Sequence, residues 1–395
     1  MRSVMNKTSR AVVIKGLAFA AVLVVIAVLI IPQFPGGAQK SQAQIVVLPI
    51  ASGDFEKAIA PRNFVFPSDH GPHPDFQTEW WYYTGNLDSS EGQHFGFELT
   101  FFRRALQPSS ARIARNSDWA TQQVYMAHFT LTDVSSGSFR YFEQLSRGAA
   151  GLAGALGQPV FSVWLNNWSV QQIAPDEYHL QSSQQDIRLD LMLKDLKGPI
   201  LEGDHGYSQK GAEVGNASYY YSETRLQTQG TLTVGMENYQ VNGASWMDHE
   251  FSTSALSTNE VGWDWYALQL NDGSELMMYS LRHSDGSQDL FSSGTVIYPD
   301  GSTRSFKLSD FKITHTTTWR SPHSGAVYPA DWTVQIPSEN LTLQVQPYLA
   351  DQELNVSFIY WEGAVKVNGS RAGQALSGSG YVELTGYAAS MQGQF

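Results

Sequence analysis

The run Phe95-Gly96-Phe97-Glu98-Leu99-Thr100-Phe101 places a large apolar side chain at every second position, with Gly96, Glu98 and Thr100 between them. A period of two marks a β-strand with one face in a core and the other facing water or a lumen. The same rhythm recurs along the chain. Ile187, Leu189, Leu191 and Leu193 alternate with Arg188, Asp190, Met192 and Lys194, and Leu341, Leu343 and Val345 alternate with Thr342, Gln344 and Gln346. Turn signals separate such runs at Asn271-Asp272-Gly273, Asp285-Gly286, Pro299-Asp300-Gly301 and Asn368-Gly369. From Gly262 to Tyr387 the strands return about every 10 residues, the spacing of antiparallel barrels or sandwiches. The segment Gly148–Gly157 reads as a loop, because its glycines disfavour a helix. The fold class is all-β. About 16 strands exceed one small barrel and suit two in tandem, with a break near Thr253–Glu260.

The 11 Trp, 18 Tyr and 20 Phe belong with this reading, since aromatic side chains fill strand cores and line apolar pockets. The formal net charge is −12, and all five charged residues ahead of Ile45 are basic, so the body is more acidic still. Phosphates would repel such a body, which excludes nucleic acid as a partner. There is no cysteine, so disulfides, thiol catalysis and thiolate metal sites are excluded.

The basic segment Met1–Lys15 precedes the unbroken apolar run Gly16–Ile31, which Pro32 stops. Positive charge ahead of an apolar helix holds the N-terminus in the cytoplasm and sends the following chain across the membrane. Residues 1–44 are therefore expected to be an export signal or a membrane anchor, with the body periplasmic or on the outer face of the membrane. Residues 45–60 read as a linker.

Two constellations carry candidate chemistry. The first runs Pro67-Ser68-Asp69-His70-Gly71-Pro72-His73 and on to Glu79-Trp80-Trp81-Tyr82-Tyr83. Asp69, His70 and His73 fall in a turn, where they either satisfy one another, meet a ligand or hold a metal. On the strand, Glu79, Trp81 and Tyr83 share one face and Trp80 and Tyr82 the other. Bulky rings on both faces predict a strand buried on both sides. A desolvated Glu79 would have a raised pKa, as a general acid requires; otherwise it is a structural carboxylate. The second constellation is Trp246-Met247-Asp248-His249-Glu250-Phe251. Trp246, Asp248 and Glu250 point one way, Met247, His249 and Phe251 the other. Buried carboxylates must be paired or working, and a histidine between two acids can be oriented for proton transfer. Trp263-Asp264-Trp265-Tyr266, Tyr360-Trp361-Glu362 and Tyr381-Val382-Glu383 add carboxylates among rings. No HExxH, G-x-S-x-G, P-loop or dinucleotide fingerprint is present, and no cofactor is expected.

These motifs, SDHGPHPDFQTEWWYYTGNL, SWMDHEFS, GWDWYALQLNDGSELMMY and YWEGAVKVNG with GYVELTGY, resemble the AttH-like family, which is related to the carotenoid 1,2-hydratases and often labelled a predicted secreted hydrolase. The resemblance spans about residues 64–387. Phe251 stands where many relatives have Trp. The resemblance implies two tandem lipocalin-like antiparallel β-barrels, residues 61–253 and 254–395, preceded by the N-terminal apolar helix. It also implies a hydratase-type reaction, addition of water to an isoprenoid double bond without a cofactor, or a role beside ABC-transporter components.

Three readings follow. In the first, an enzyme binds a hydrophobic small molecule; Asp248 or Glu79 protonates it, and His249 or His70 positions water. Asp69, His73, Trp80, Trp81, Tyr83, Trp246, Glu250, Trp265, Tyr266 and Trp361 are then the expected ligand contacts. In the second, the same site belongs to a carrier at the membrane. In the third, Asp69, His70, His73, Asp248 and His249 serve a metal-assisted hydrolase.

Overall fold

The computed structural model describes residues 55–112, 116–253 and 256–393. The expected export signal or anchor lies outside the described residues. Two antiparallel sheets account for nearly all of the regular structure. The first comprises β1 (Thr78–Ser89), β2 (His94–Ala105), β3 (Gln123–Asp133), β4 (Ser138–Arg147), β5 (Ala153–Leu156), β6 (Ser162–Leu165), β7 (Trp168–Ala174), β8 (Glu177–Gln184), β9 (Ile187–Asp195), β10 (Ile200–Leu201), β11 (Tyr207–Gln209), β12 (Ala217–Val234) and β13 (Glu237–Ser252). The second comprises β14 (Glu260–Leu270), β15 (Glu275–His283), β16 (Ser293–Ile297), β17 (Thr303–Lys307), β18 (Lys312–Arg320), β19 (Val327–Ile336), β20 (Leu341–Pro347), β21 (Glu353–Asn355), β22 (Ile359–Arg371) and β23 (Gln374–Leu384).

The first sheet runs β4-β3-β2-β1-β13-β12-β9-β8-β7-β6-β5 and curls into a nearly closed barrel. The second runs β17-β16-β15-β14-β23-β22-β20-β19-β18 as a half-barrel. In each, the last long strand pairs with the first, β13 with β1 and β23 with β14, which joins the two ends of each stretch of chain. The alternation of Phe95, Phe97, Leu99 and Phe101 fills the first barrel's core with Trp81, Tyr83, Leu189 and Leu191. Tyr266, Trp332, Leu343, Val345 and Trp361 fill the second.

The twenty-three strands among the described residues exceed the number expected from periodicity, because β5, β10, β11 and β21 are two to four residues long, too short to display an alternation. Ala153–Leu156, expected to be loop, is one of them, an edge strand on β6. A third apolar cluster joins the sheets: Tyr82, Tyr220 and Trp246 from the first meet Trp265, Met277, Tyr279 and Tyr381 from the second. The sheets approach closely at Gly96, where an added Cβ would come within 2.5 Å of the Ala364 methyl. A glycine there lets the sheets approach, while strand alternation turns Phe95 and Phe97 into the first core and Glu98 toward the second sheet.

Candidate active site

β1 pairs with β13 in a register that places Glu79 opposite Phe251, Trp80 opposite Glu250, Trp81 opposite His249 and Tyr82 opposite Asp248. Cross-strand partners share a face. The pair therefore carries two sites back to back, one inside the first barrel and one between the sheets.

The outward face opens on a cavity of about 150 Å³. Trp80, Tyr82, Phe102 and Tyr220 wall it on one side, and Trp263, Trp265, Tyr279 and Tyr360 on the other. Four carboxyls line it as well: Asp248, Glu250, Glu260 and Glu383. Asp248 Oδ1 accepts from the Ser222 hydroxyl at 2.6 Å and the Trp246 indole at 2.7 Å, and Oδ2 accepts from the Tyr220 hydroxyl at 2.6 Å. Trp265 Nε1 in turn donates to Tyr220 at 3.1 Å. Burial raises the Asp248 pKa and the three donors lower it, with a net rise to about 7. Glu383 Oε1 accepts from Trp263 Nε1 at 2.6 Å; burial and the charges of Asp248 and Glu250 push this carboxyl to about 8. Lys210 Nζ lies 3.4 Å from Glu250 Oε1 and 3.8 Å from the Tyr279 ring centroid.

The inward face holds a second polar assembly. Glu79 Oε1 accepts from His73 Nδ1 and His249 Nε2, each at 2.8 Å, and Oε2 accepts from Arg103 Nε at 2.7 Å. Burial alone would raise the Glu79 pKa as the sequence suggests. Arg103 and the two histidines outweigh it and hold the carboxyl well below the usual range, which corrects the expectation of a protonated Glu79. Glu79 is a carboxylate anchor, unsuited to donating a proton. His73 gives its other ring nitrogen to Asp69 Oδ1 at 3.0 Å. Burial opposes its charge, but these two carboxylates raise its pKa, so both nitrogens carry protons. The Tyr221 hydroxyl bridges His249 Nδ1 at 3.1 Å and His70 Nδ1 at 2.8 Å. Burial lowers both pKa values, that of His70 to about 4, so these two rings are neutral. Phe251 stacks on His73 with centroids 3.6 Å apart.

The sequence-derived candidates thus divide. Asp69, His70, His73, Glu79, Trp81, Tyr83 and His249 belong to the barrel interior. Trp80, Trp246, Asp248, Glu250 and Trp265 belong to the cleft. Tyr266 and Trp361 join neither; both are buried in the second barrel's core, where Trp361 donates to Ala350 O at 2.9 Å. His249 does not serve the acids beside it in sequence, because β13 turns it to the other face. Among the described residues, His73, Glu79 and His249 could hold a metal, with ligand atoms within 4.8 Å of one another. Asp248 cannot join that set. Glu383, Lys210 and Tyr220 were not among the expected contacts. Glu383 was visible as a carboxylate between Tyr381 and Tyr387, but only its pairing opposite Trp265 turns it into the cleft.

Two lipocalin-like barrels packed over an aromatic, acid-lined cleft define a class of tandem β-barrel proteins. The chain belongs to the AttH-like family, whose model matches residues 57–387. It is 33% identical to an AttH of known structure from Nitrosomonas europaea, with a TM-score of 0.73 over 84% of this chain and 99% of that one. Kievitone hydratase from Nectria haematococca has the same fold at 14% identity, with a TM-score of 0.64 over 85% of this chain and 97% of that one. The dehydratase asqC of Emericella nidulans is 24% identical over 274 residues, 65% of this chain and 75% of that protein.

Proposed function

We propose that this protein adds water to, or removes it from, a hydrophobic small molecule held in the cleft between the barrels, by acid–base chemistry without a cofactor. The observation that carries this reading is the pair of buried carboxyls, Asp248 at about 7 and Glu383 at about 8, on the walls of an aromatic cavity. Protonating an alkene requires a neutral acid in a dry site and a base to take the water proton, and in the reverse reaction the two groups exchange these roles. Faces of Trp and Tyr stabilise the cation formed between the two steps. The similarity to a dehydratase supports the reaction type. The basic and apolar N-terminus supports export, with the reaction outside the cytoplasm, and the acidic body suits a soluble domain there.

The test is mass spectrometry of compounds that co-purify with, or are turned over by, wild type and Asp248→Asn. Paired species differing by one water in wild type, with only one of the pair in the variant, support the reading. An identical, unchanged compound in both would refute it in favour of a carrier.

A further inference from the structure

We infer that Glu383 is the proton donor of the cleft and Asp248 its proton acceptor. The inference rests on the hydration or dehydration reading and assigns its two roles.

The two carboxyls stand on opposite sheets and differ in their surroundings. Asp248 receives three hydrogen bonds spread over both oxygens, and one of them comes from an indole N–H, which can only donate. Donors on both oxygens favour the ionised form. Glu383 receives one such bond, from Trp263. Its direct cross-strand partner on β22 is another carboxyl, Glu362. Glu362 Oε1 accepts from the Tyr82 hydroxyl at 2.6 Å, while its Oε2 is buried without a protein partner. Glu98 faces the same place from the first sheet, its Oε2 also buried and unpartnered, and Oε1 bonded to Thr100 at 2.6 Å. The cleft's lysine, Lys210, is committed to Glu250. Three buried carboxyls facing one another cannot all ionise, so the group retains protons. The electrostatics agree: burial, with Glu383 and Glu98 as neighbours, raises Glu362 well above its ordinary value, and Glu98 reaches about 8. Three donors on Asp248 thus favour its carboxylate, and the buried carboxyls crowded around Glu383 favour its acid form.

In hydration, the Glu383 proton forms a C–H bond with the alkene π pair, and the O–H pair stays on Glu383 as a carboxylate. The neighbouring carbon becomes a cation. A water oxygen forms the C–O bond, and one water proton passes to Asp248, leaving the alcohol. Asp248 then gives that proton to solvent and Glu383 regains one, directly or through Glu362, so the sum is alkene plus water to alcohol. Dehydration runs the same steps backwards with Asp248 starting protonated. The substrate class is an alkene whose protonation gives a tertiary cation, or the matching tertiary alcohol.

Two measurements on the full chain test this. First, infrared spectra of the carboxyl carbonyl band are taken at and just above neutral pH. Glu383→Gln should remove a protonated component, and Asp248→Asn should leave the protonated band intact. Loss of the band in Asp248→Asn, or no change in Glu383→Gln, overturns the assignment. Second, hydration of a trisubstituted alkene, 2-methyl-2-butene, is followed in isotopically labelled water, with thermal melting as the check on folding. Each substitution should lower turnover by about 10² to 10⁴-fold. The residual rate of Glu383→Gln should lose the alkaline limb of the pH profile, and that of Asp248→Asn the acid limb. Exchanged limbs overturn the roles. An absence of hydration for every alkene tried refutes the proposed function instead, and the infrared band still decides which carboxyl holds the proton.

Discussion

Asp248 and His249 are consecutive on β13 and open onto opposite faces of the first sheet, the carboxyl toward the cleft and the imidazole into the barrel. Substitutions at the two positions should therefore separate function from stability. Asp248→Asn keeps the shape of the side chain and loses the charge, so activity should fall by at least about 100-fold, with a smaller loss of stability than His249→Ala. His249→Ala leaves Glu79 and Tyr221 each short of a buried partner and opens a void, at a cost of about 2 to 4 kcal/mol. Urea unfolding and turnover, measured on both variants, check this. Equal loss of stability in the two would contradict the separation.

The anchor of the barrel interior is the ion pair of Glu79 and Arg103, both side chains fully buried and 2.7 Å apart. Arg103 also donates from Nη2 to the His73 and Phe76 carbonyls. Removing one member leaves an uncompensated buried charge, which costs about 3 to 5 kcal/mol. Arg103→Met and Glu79→Gln should each destabilise by that order. The double variant should be less destabilised than their sum by about 1 kcal/mol or more. Additive losses in a urea-unfolding cycle would show that the pair does not act as a unit.

The convergence of His73, Glu79 and His249 invites a metal, and the proton inventory argues against one. His73 donates to two carboxylates and has a raised pKa, while Arg103 already neutralises Glu79. A divalent cation would have to displace the His73 proton and lie beside a guanidinium. Added zinc should neither bind stoichiometrically nor raise the melting temperature. Elemental analysis and melting curves with and without chelator measure both, and one tightly held ion per chain would reverse the argument.

The alternation of β2, β9 and β20 was legible because each strand carries its own face pattern, and so was the two-sided burial of Glu79 to Tyr83 in β1. Which face meets which partner was not. Glu79 becomes a held carboxylate only because the β1–β2 hairpin sets Arg103 opposite it, 24 residues along the chain. Tyr266 sits one residue from Trp265, and that single step sends it into the second core instead of the cleft. Glu383 depends on the pairing of β23 with β14 across more than a hundred residues. Local periodicity fixes sides in pairs, but the identity of each side comes from long-range register.

The buried acids also set how stability depends on pH. Burial moves Glu98, Glu202 and Glu383 from an ordinary 4.5 to about 8, and Asp248 from 3.8 to about 7. Groups with a folded pKa above the unfolded one stabilise fully below the unfolded value, and that contribution is lost as pH rises through the folded value. His73, also raised, has the same sign. His70 is opposite: with its pKa lowered from 6.5 to about 4, its neutral form favours folding above 6.5, and the advantage is lost as pH falls toward about 4. Glu79 and Asp69, both lowered, likewise lose their contribution only in acid. The two sets oppose each other between about 4 and 6.5. Above 6.5 the raised groups act unopposed, each worth up to about 1.4 kcal/mol per pH unit across its window. The melting temperature should therefore peak on the acid side of neutrality and fall steadily from about pH 6.5 to beyond pH 8. Glu383→Gln, which cannot ionise, should flatten that fall without moving the acid limb, and a wild-type melting temperature that holds constant or rises across this range would show that these carboxyls are not buried as neutral acids.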